Sequence, residues 1–310
     1  MKVHRGFENL GNIKNPAVTT GTFDGVHLGH KVIINRLNSL ANEINGESVL
    51  ITFHPHPRKV LYPDTFGKDL NLINSQQEKI QQLEKTGLDH LIIINFTKDF
   101  ANTTSQEFVK NILLEKLHAK IIIVGFNHHF GHNREGDYNY LYKLTKEYDF
   151  RVEEIPHQDL ENETVSSTIT RKALLEGRVQ RANAYLEHFF VIIGSLKRGH
   201  LKCKEIGFPT LEMIIEEEEK LIPKEGVYAV SVVCEGNRYR GMLNIKTYLE
   251  KENPSIQVHL FEYDYNFKLE SKIVTIAFHK RMRDELQLGN TESLKNQLAK
   301  DKLIIEELIY

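Results

Sequence analysis

The 310-residue sequence predicts an α/β unit with an open parallel sheet, followed by an antiparallel β-barrel with a C-terminal helix. In the first half, short β-branched runs alternate with amphipathic stretches, the pattern of a parallel sheet covered by helices. From Phe189 onward, strands follow one another with no helix between them, the texture of a small barrel. At roughly 100–200 residues per domain the length holds about two cores.

Ala17–Thr20 reads as the first strand and runs into GTFDGVHLGH, after which Ile33, Leu37, Leu40 and Ile44 recur at helical spacing. Ser48–Phe53 is the second strand. A helix over Ser75–Thr86 precedes the strand His90–Asn95. A helix Ser105–His118, with Phe108, Leu113 and Leu117 inward, precedes the strand Lys120–Gly125. A helix Tyr138–Tyr148 and a strand Arg151–Ile155 complete at least five β units. Right-handed crossovers wind these into one sheet whose ligands belong at the carboxyl ends of the strands. Ser167–His188 reads as one joining helix, with Leu174, Leu175, Val179, Ala182 and Leu186 as its apolar set. Barrel strands are expected at Phe189–Leu196, Val227–Cys234, Arg238–Ile245, Ile256–Phe261 and Lys272–Phe278, with a helix over Thr291–Ile309 packed on them. The domains are therefore 1–187 and 188–310.

The 40 Lys+Arg and 42 Asp+Glu leave a formal charge of −2, so no global positive field would hold a nucleic acid, and any phosphate site must be local. No apolar run approaches the ~20 residues that cross a bilayer, and Met1–Leu10 has no apolar signal core. The expectation is a cytoplasmic protein without membrane contact. Cys203 and Cys234 form no CxxC and read as reduced thiols. Glu216–Glu219 reads as a solvated face rather than a metal site.

Four segments carry chemistry. The first, residues 21–30, sits where a strand hands over to a helix; His27 and His30 can both face a bound phosphate there, with helix N-terminal amides as further donors. Gly21 and Gly29 permit close backbone approach to a nucleotide. The second, Thr52-Phe-His-Pro-His-Pro57, follows a strand. His54 and His56 have the i, i+2 spacing of metal ligands, but with no carboxylate or cysteine beside them a rigid extended pocket wall is the other reading. The third, residues 125–136, mixes aromatics, amide and cation, as a pocket for a planar phosphorylated ligand would; Arg134 is either part of it or a surface arginine. In the fourth, one of Ser166 and Ser167 is a helix cap, and the other hydroxyl, Thr168 and Arg171 form a second phosphate clamp opposite His27 and His30.

GTFDGVHLGH, TFHPHP, GFNHHFGHNREG and SSTITR, in this order and spacing, closely resemble the adenylyltransferase module of the bacterial bifunctional riboflavin kinase/FMN adenylyltransferase family, also called FAD synthetase. The resemblance covers essentially the whole chain and implies an α/β nucleotidyltransferase domain of the Rossmann-like, HxGH type, then a flavokinase-like β-barrel. It implies that Gly21, Phe23, Asp24 and Gly29 line the nucleotide site and that His27 and His30 steady the ATP phosphates. It further implies that Ser167, Thr168 and Arg171 hold the departing pyrophosphate and that Asn127 helps position FMN; Arg134 stands beside them as a candidate cofactor-binding residue. ATP, Mg²⁺ and FMN, with FAD as product, are the small-molecule partners so implied. The sequence sets no oligomeric state.

In the barrel, residues 194–212, 223–229 and 283–285 resemble the riboflavin kinase signature, with departures. Cys203 stands where the family has a glycine. Glu212 replaces the asparagine that, with the threonine matched by Thr210, ligates the metal. Asn244 is retained, but the run after it reads Lys246-Thr-Tyr-Leu-Glu250. Gln257 stands where the family places a glutamate as general base, and an amide accepts no proton at neutral pH. The expectation is an FMN adenylyltransferase with an impaired kinase. Its rivals are a fully bifunctional enzyme, a rearranged kinase site in which Glu212 or Glu250 substitutes, transfer to another phosphate acceptor, and a non-catalytic flavin-binding regulator.

Overall fold

The computed structural model describes every residue except 127, 157, 161–162, 200, 248–253, 264, 266–268, 270, 287–289 and 310. It divides into two compact units, residues 1–70 with 79–166, and residues 71–78 with 167–310.

The first unit is built on strands β1 (Lys2–Arg5), β2 (Ala17–Thr20), β3 (Ser48–His54), β4 (His90–Asn95), β5 (Ile121–Gly125) and β6 (Arg151–Ile155), all parallel in the order β1-β4-β3-β2-β5-β6. Strands covered on both faces need apolar residues throughout, and Ile92 and Ile122 pack into one core while Leu91 and Ile123 pack into the opposite one. β1 escapes sequence reading because Lys-Val-His-Arg is short and polar, as edge strands are. From β2 the chain adds β3 and β4 on one side, then β5 and β6 on the other, so the strand order reverses between β2 and β5. A ligand crevice opens at such a switch point, beyond the carboxyl ends of the strands.

Helix α1 (Leu28–Glu43) follows β2 and buries Ile34, Leu37 and Leu40. The short α2 (Pro57–Leu61) follows β3, and α3 spans Gln76–Glu84. α4 (Lys98–Ala101) and α5 (Ser105–Glu107) precede a segment, Phe108–Lys116, wound as a π-helix. Its wider turn shows where Leu117 N–H reaches Ile112 O, and Phe108, Leu113 and Leu117 are buried as expected. α6 covers Tyr138–Leu144. After β6, a two-residue ladder of β7 (Asp159–Leu160) and β8 (Glu163–Thr164) intervenes before residue 166.

In the second unit, Ser167–His188 is two helices, α7 (Ser167–Leu175) and α8 (Val179–Leu186), not one. Gly177 breaks them at φ +78°, with its N–H on Leu174 O and the Arg178 N–H on Ala173 O, a helix stop that a glycine accommodates without strain. β9 (Phe190–Arg198), β10 (Leu211–Ile214), β11 (Gly226–Cys234), β12 (Asn237–Lys246), β13 (Ser255–Leu260) and β14 (Ile273–Arg283) close a barrel in the order β10-β13-β12-β11-β14-β9. β10, unmarked in the sequence because four residues run straight into acids, joins β9 to β13 and so closes it. α9 spans Leu201–Glu205, and α10 spans Thr291–Leu308. α10 inserts Ile305 against Ala229, Met242 and Phe261. Its buried Asp301 carboxylate accepts from the Arg283 guanidinium at 2.6 Å.

Residues 71–78 are fastened within this unit by Lys220. Its buried ammonium donates to Ile73 O at 2.6 Å and Val191 O at 2.8 Å, and it is ion-paired with Glu78. Glu78 also accepts from the N–H groups of Ile193 and Ser75, each at 2.8 Å. Glu217, expected on a solvated face, caps the start of α3 by accepting from Gln76 N–H at 2.8 Å.

Candidate active site

Each chemical segment of the first unit leaves a strand end beside the switch point. After β2, residues 21–27 turn sharply: Phe23 (φ +49°), Gly25 (φ +91°) and Val26 (φ +44°) lie in the left-handed region. For a fully buried, β-branched Val26 that conformation is strained, and strain of this kind persists where surrounding packing imposes it. The turn delivers His27 as the cap of α1. Its Nδ1 accepts from His30 N–H at 3.4 Å, so a neutral ring carries its hydrogen on Nε2. The two imidazoles stack with centroids 3.6 Å apart, and Phe23 lies 4.7 Å from His30.

Burial lowers the pKa of His27 to about 4, and that of His30 well below its ordinary value, helped by His27 and by the Lys79 ammonium. Both rings are therefore neutral N–H donors at pH 7. His30 Nδ1 is buried without a hydrogen-bond partner, an unmet polar atom of the sort that marks a ligand site. A Cβ on Gly29 would lie 3.3 Å from His27 Cε1, and one on Gly21 would lie 3.0 Å from the Phe23 ring. These glycines thus also protect the ring arrangement. Asp24 is buried in the same turn.

Lys79, which sequence reading passed over inside an ordinary helical repeat, is buried here. Its ammonium donates to Thr22 O at 3.1 Å, and Thr52 Oγ1 donates to the same carbonyl at 3.1 Å, tying the turn to the end of β3. The segment after β3 is not an extended wall. The His54–Pro55 peptide is cis, and His56 caps α2 by accepting from Arg58 N–H at 3.1 Å. No group of three or more His, Cys, Asp or Glu side chains suited to a metal occurs among the described residues.

After β5, Asn127 lies outside the described residues. Arg134 is exposed at φ +61° in a single 3-10 turn. His128, inside the motif but not singled out in sequence, has a buried Nε2 without a partner. Burial, then the charges of His129 and Arg134, lower its pKa to about 4. Ser166 ends the first unit, while Ser167, Thr168 and Arg171 begin the second on α7, where Arg171 Nε donates to Asn71 O at 2.8 Å.

In the barrel, residues distant in sequence meet through register. Glu212 on β10 pairs with Gln257 on β13, which pairs with Asn244 on β12. The alternate residues Leu211, Met213, Leu243, Ile245, Ile256 and Val258 are buried, so the polar three share the opposite face. Glu212 Oε1 is 3.3 Å from Ser255 Oγ, its Oε2 is 3.1 Å from Lys197 Nζ, and Gln257 Nε2 is 3.5 Å from the same Ser255 hydroxyl. Thr210 Oγ1 and Asn244 Oδ1 are buried without partners. Two unmet oxygens suit a hard divalent cation such as Mg²⁺, which completes its shell with water and phosphate oxygens. A Cβ on Gly199 would lie 2.4 Å from Thr210 Oγ1, so that loop needs glycine. Cys203 stands in α9, its thiol pKa raised by burial, and Glu250 lies outside the described residues.

Fold and site together define a nucleotidyltransferase-type α/β domain followed by a flavokinase-type barrel. The FAD synthetase family model matches residues 11–169, and the riboflavin kinase family model matches residues 186–309. The chain is 33% identical over 314 residues to the bifunctional riboflavin kinase/FMN adenylyltransferase of Buchnera aphidicola subsp. Schizaphis graminum, covering 99% of this chain and 98% of that one. It is 30% identical over 312 residues to the protein of that name from Escherichia coli K12, covering 99% and 97%. A crystal structure titled macrolide-efflux protein from Streptococcus pneumoniae aligns with a TM-score of 0.88 at 26% identity, covering 98% of both chains. This chain belongs to the bifunctional riboflavin kinase/FMN adenylyltransferase family. No helix among its described residues is long and apolar enough to cross a membrane.

Proposed function

We propose that residues 1–187 make FAD and pyrophosphate from FMN and ATP, and that the riboflavin kinase domain, residues 188–310, turns over more slowly than the adenylyltransferase. The observation that carries the first part is the stacked, neutral His27–His30 pair at the start of α1, with one ring nitrogen unmet. An FMN phosphate oxygen attacks the α-phosphorus of ATP, the bond to the bridging oxygen breaks, and pyrophosphate leaves. The attacking group is already anionic, so the protein's work is positioning and charge stabilisation rather than proton removal.

In this reading His27 and His30 donate N–H groups to oxygens that gain charge in the transition state. The α1 amides add donors to the same phosphates. Ser167, Thr168 and Arg171 hold the pyrophosphate side, Asn127 and Arg134 contact FMN, and Lys79 fixes the turn that presents the histidines. Mg²⁺, when bound, neutralises phosphate charge in both reactions; in the barrel Thr210 and Asn244 would hold it.

Slow kinase turnover is supported by Gln257. An alcohol must lose its proton when it attacks phosphorus, and an amide cannot take it. Riboflavin and FMN offered separately, each with ATP and Mg²⁺, test both parts. The expected outcome is FAD from FMN at an ordinary rate and FMN from riboflavin at least tenfold more slowly. Comparable rates would remove the second part, and no FAD from FMN would remove the first.

A further inference from the structure

His128, on the loop that leaves β5, buries its Nε2 without a hydrogen-bond partner among the described residues. An unpaired buried polar atom destabilises the chain that carries it, so its presence at a strand end calls for a partner that the chain does not supply. The residue is otherwise well held. Its backbone N–H donates to Gly125 O at 2.9 Å, and its ring stacks on Phe130 with centroids 6.2 Å apart. Burial, then His129 and Arg134, lower the ring's pKa, so it is neutral at pH 7, and the Arg134 guanidinium brings positive charge to it. A neutral imidazole with its hydrogen on Nε2 is a donor there, and positive surroundings select an acceptor of negative charge. β5 is the neighbour of β2 across the point where the strand order reverses. The turn after β2 presents His27 and His30 to the ATP phosphates, which leaves the strand end beside it for the second anion of the reaction, the phosphate of FMN.

We propose that His128 donates its Nε2–H to the phosphate of FMN and so lets the site distinguish a phosphorylated flavin from riboflavin. The inference rests on the reading that residues 1–187 adenylylate FMN, and it names the group that recognises the acceptor. The residue as a whole is half-buried and the ring torsion of a histidine is broad, so a modest rotation turns Nε2 towards the crevice. No proton is transferred: the FMN phosphate is already ionised, and the ring keeps its hydrogen while a phosphate oxygen attacks. An N–H donated to an anion makes a charge-assisted bond, roughly twice as strong as a neutral one. Riboflavin, with a hydroxyl in place of the phosphate, forfeits it.

Two measurements test this. The first is nitrogen NMR of the full chain carrying isotope-labelled histidine, with the His128 signals assigned by their loss in His128→Gln. FMN should shift the Nε2 signal, whereas riboflavin or ATP at the same concentration should not. The second is FAD formation from FMN, ATP and Mg²⁺, with thermal melting to report folding. His128→Phe should raise KM for FMN about tenfold or more, the usual effect of losing a hydrogen bond to a charged group, and change KM for ATP less than threefold. His128→Gln should recover most of that loss, because its amide N–H can stand where Nε2–H stood. A merely packing role would give the opposite order, since Phe keeps the ring shape and Gln does not. The inference is overturned if His128→Phe keeps KM for FMN within threefold, if KM for ATP rises instead, or if riboflavin shifts Nε2 as FMN does. An FMN-specific shift in a chain that makes no FAD would keep this inference and remove the proposed adenylyl transfer.

Discussion

His27 and His30 lie three residues apart at one helix start, and a single strained turn presents both. Glu212, Asn244 and Gln257 come from three strands, and only barrel register brings them together. The first site is thus a local construction on a strand end, legible as a motif; the second is a product of closure. A motif site changes visibly when one of its letters changes. A register site is spread over strands that no short window of sequence contains.

The largest expected effect falls on the unit that carries the barrel. Lys220→Met leaves the buried Glu78 carboxylate without its partner, which costs about 3–5 kcal/mol when one member of such a pair is removed. Riboflavin phosphorylation should then fail on mild heating at a lower temperature than in the unmodified chain, and FMN adenylylation should weaken with it, since Arg171 is held by Asn71 O in the segment that Lys220 fastens. Unchanged melting and unchanged activities would show that the Lys220–Glu78 clasp does not hold this unit together.

The converse experiment targets the motif site. His27→Ala or His30→Ala should lower adenylyl transfer by about 10²–10³-fold, the usual cost of a lost transition-state donor, in protein that still folds, with melting lowered modestly in His27→Ala by loss of the α1 cap. Wild-type rates in folded protein would remove these rings from the reaction.

Acid sharpens the comparison further. His27 and His128 have pKa values near 4 when folded, against about 6.5 when unfolded, so between those values the unfolded chain binds more protons. Stability therefore falls as pH drops from about 6.5 towards 4, by up to about 2 kcal/mol per histidine at pH 5. His128→Gln should flatten the decline in melting temperature between pH 7 and 5; an unchanged slope would refute the assignment.

The smallest effect concerns Arg171→Ala, expected to weaken productive use of ATP about tenfold and FMN binding less, since a guanidinium pairs with phosphate oxygens. A change confined to the FMN constant would move Arg171 to the other ligand.

Hydrophobic period and β-branched runs sufficed to read strands such as Ala17–Thr20 and His90–Asn95, because their burial on both faces demands apolar residues in succession. β1 and β10 were not legible, being four residues each and held by pairing rather than by composition. The glycine stop at Gly177 was masked by apolar spacing that continues across it, although a helix could not. Lys79 carried no signal at all: a lysine in a helical repeat is ordinarily solvated, and only the packing of the turn over it reveals a buried ammonium.

By itself the sequence determined the α/β-then-barrel order, the strand-end placement of His27, His30 and the segment after β5, and the substitutions at 203, 212 and 257. Those follow from local periodicity, turn chemistry and residue identity, which the chain carries along its length. Tertiary structure alone decided that Lys220 clasps Glu78, that both histidines are buried and neutral, and that Glu212 faces Gln257 across a ladder. Desolvation and cross-strand register depend on which distant segments pack together, and no window of sequence contains that.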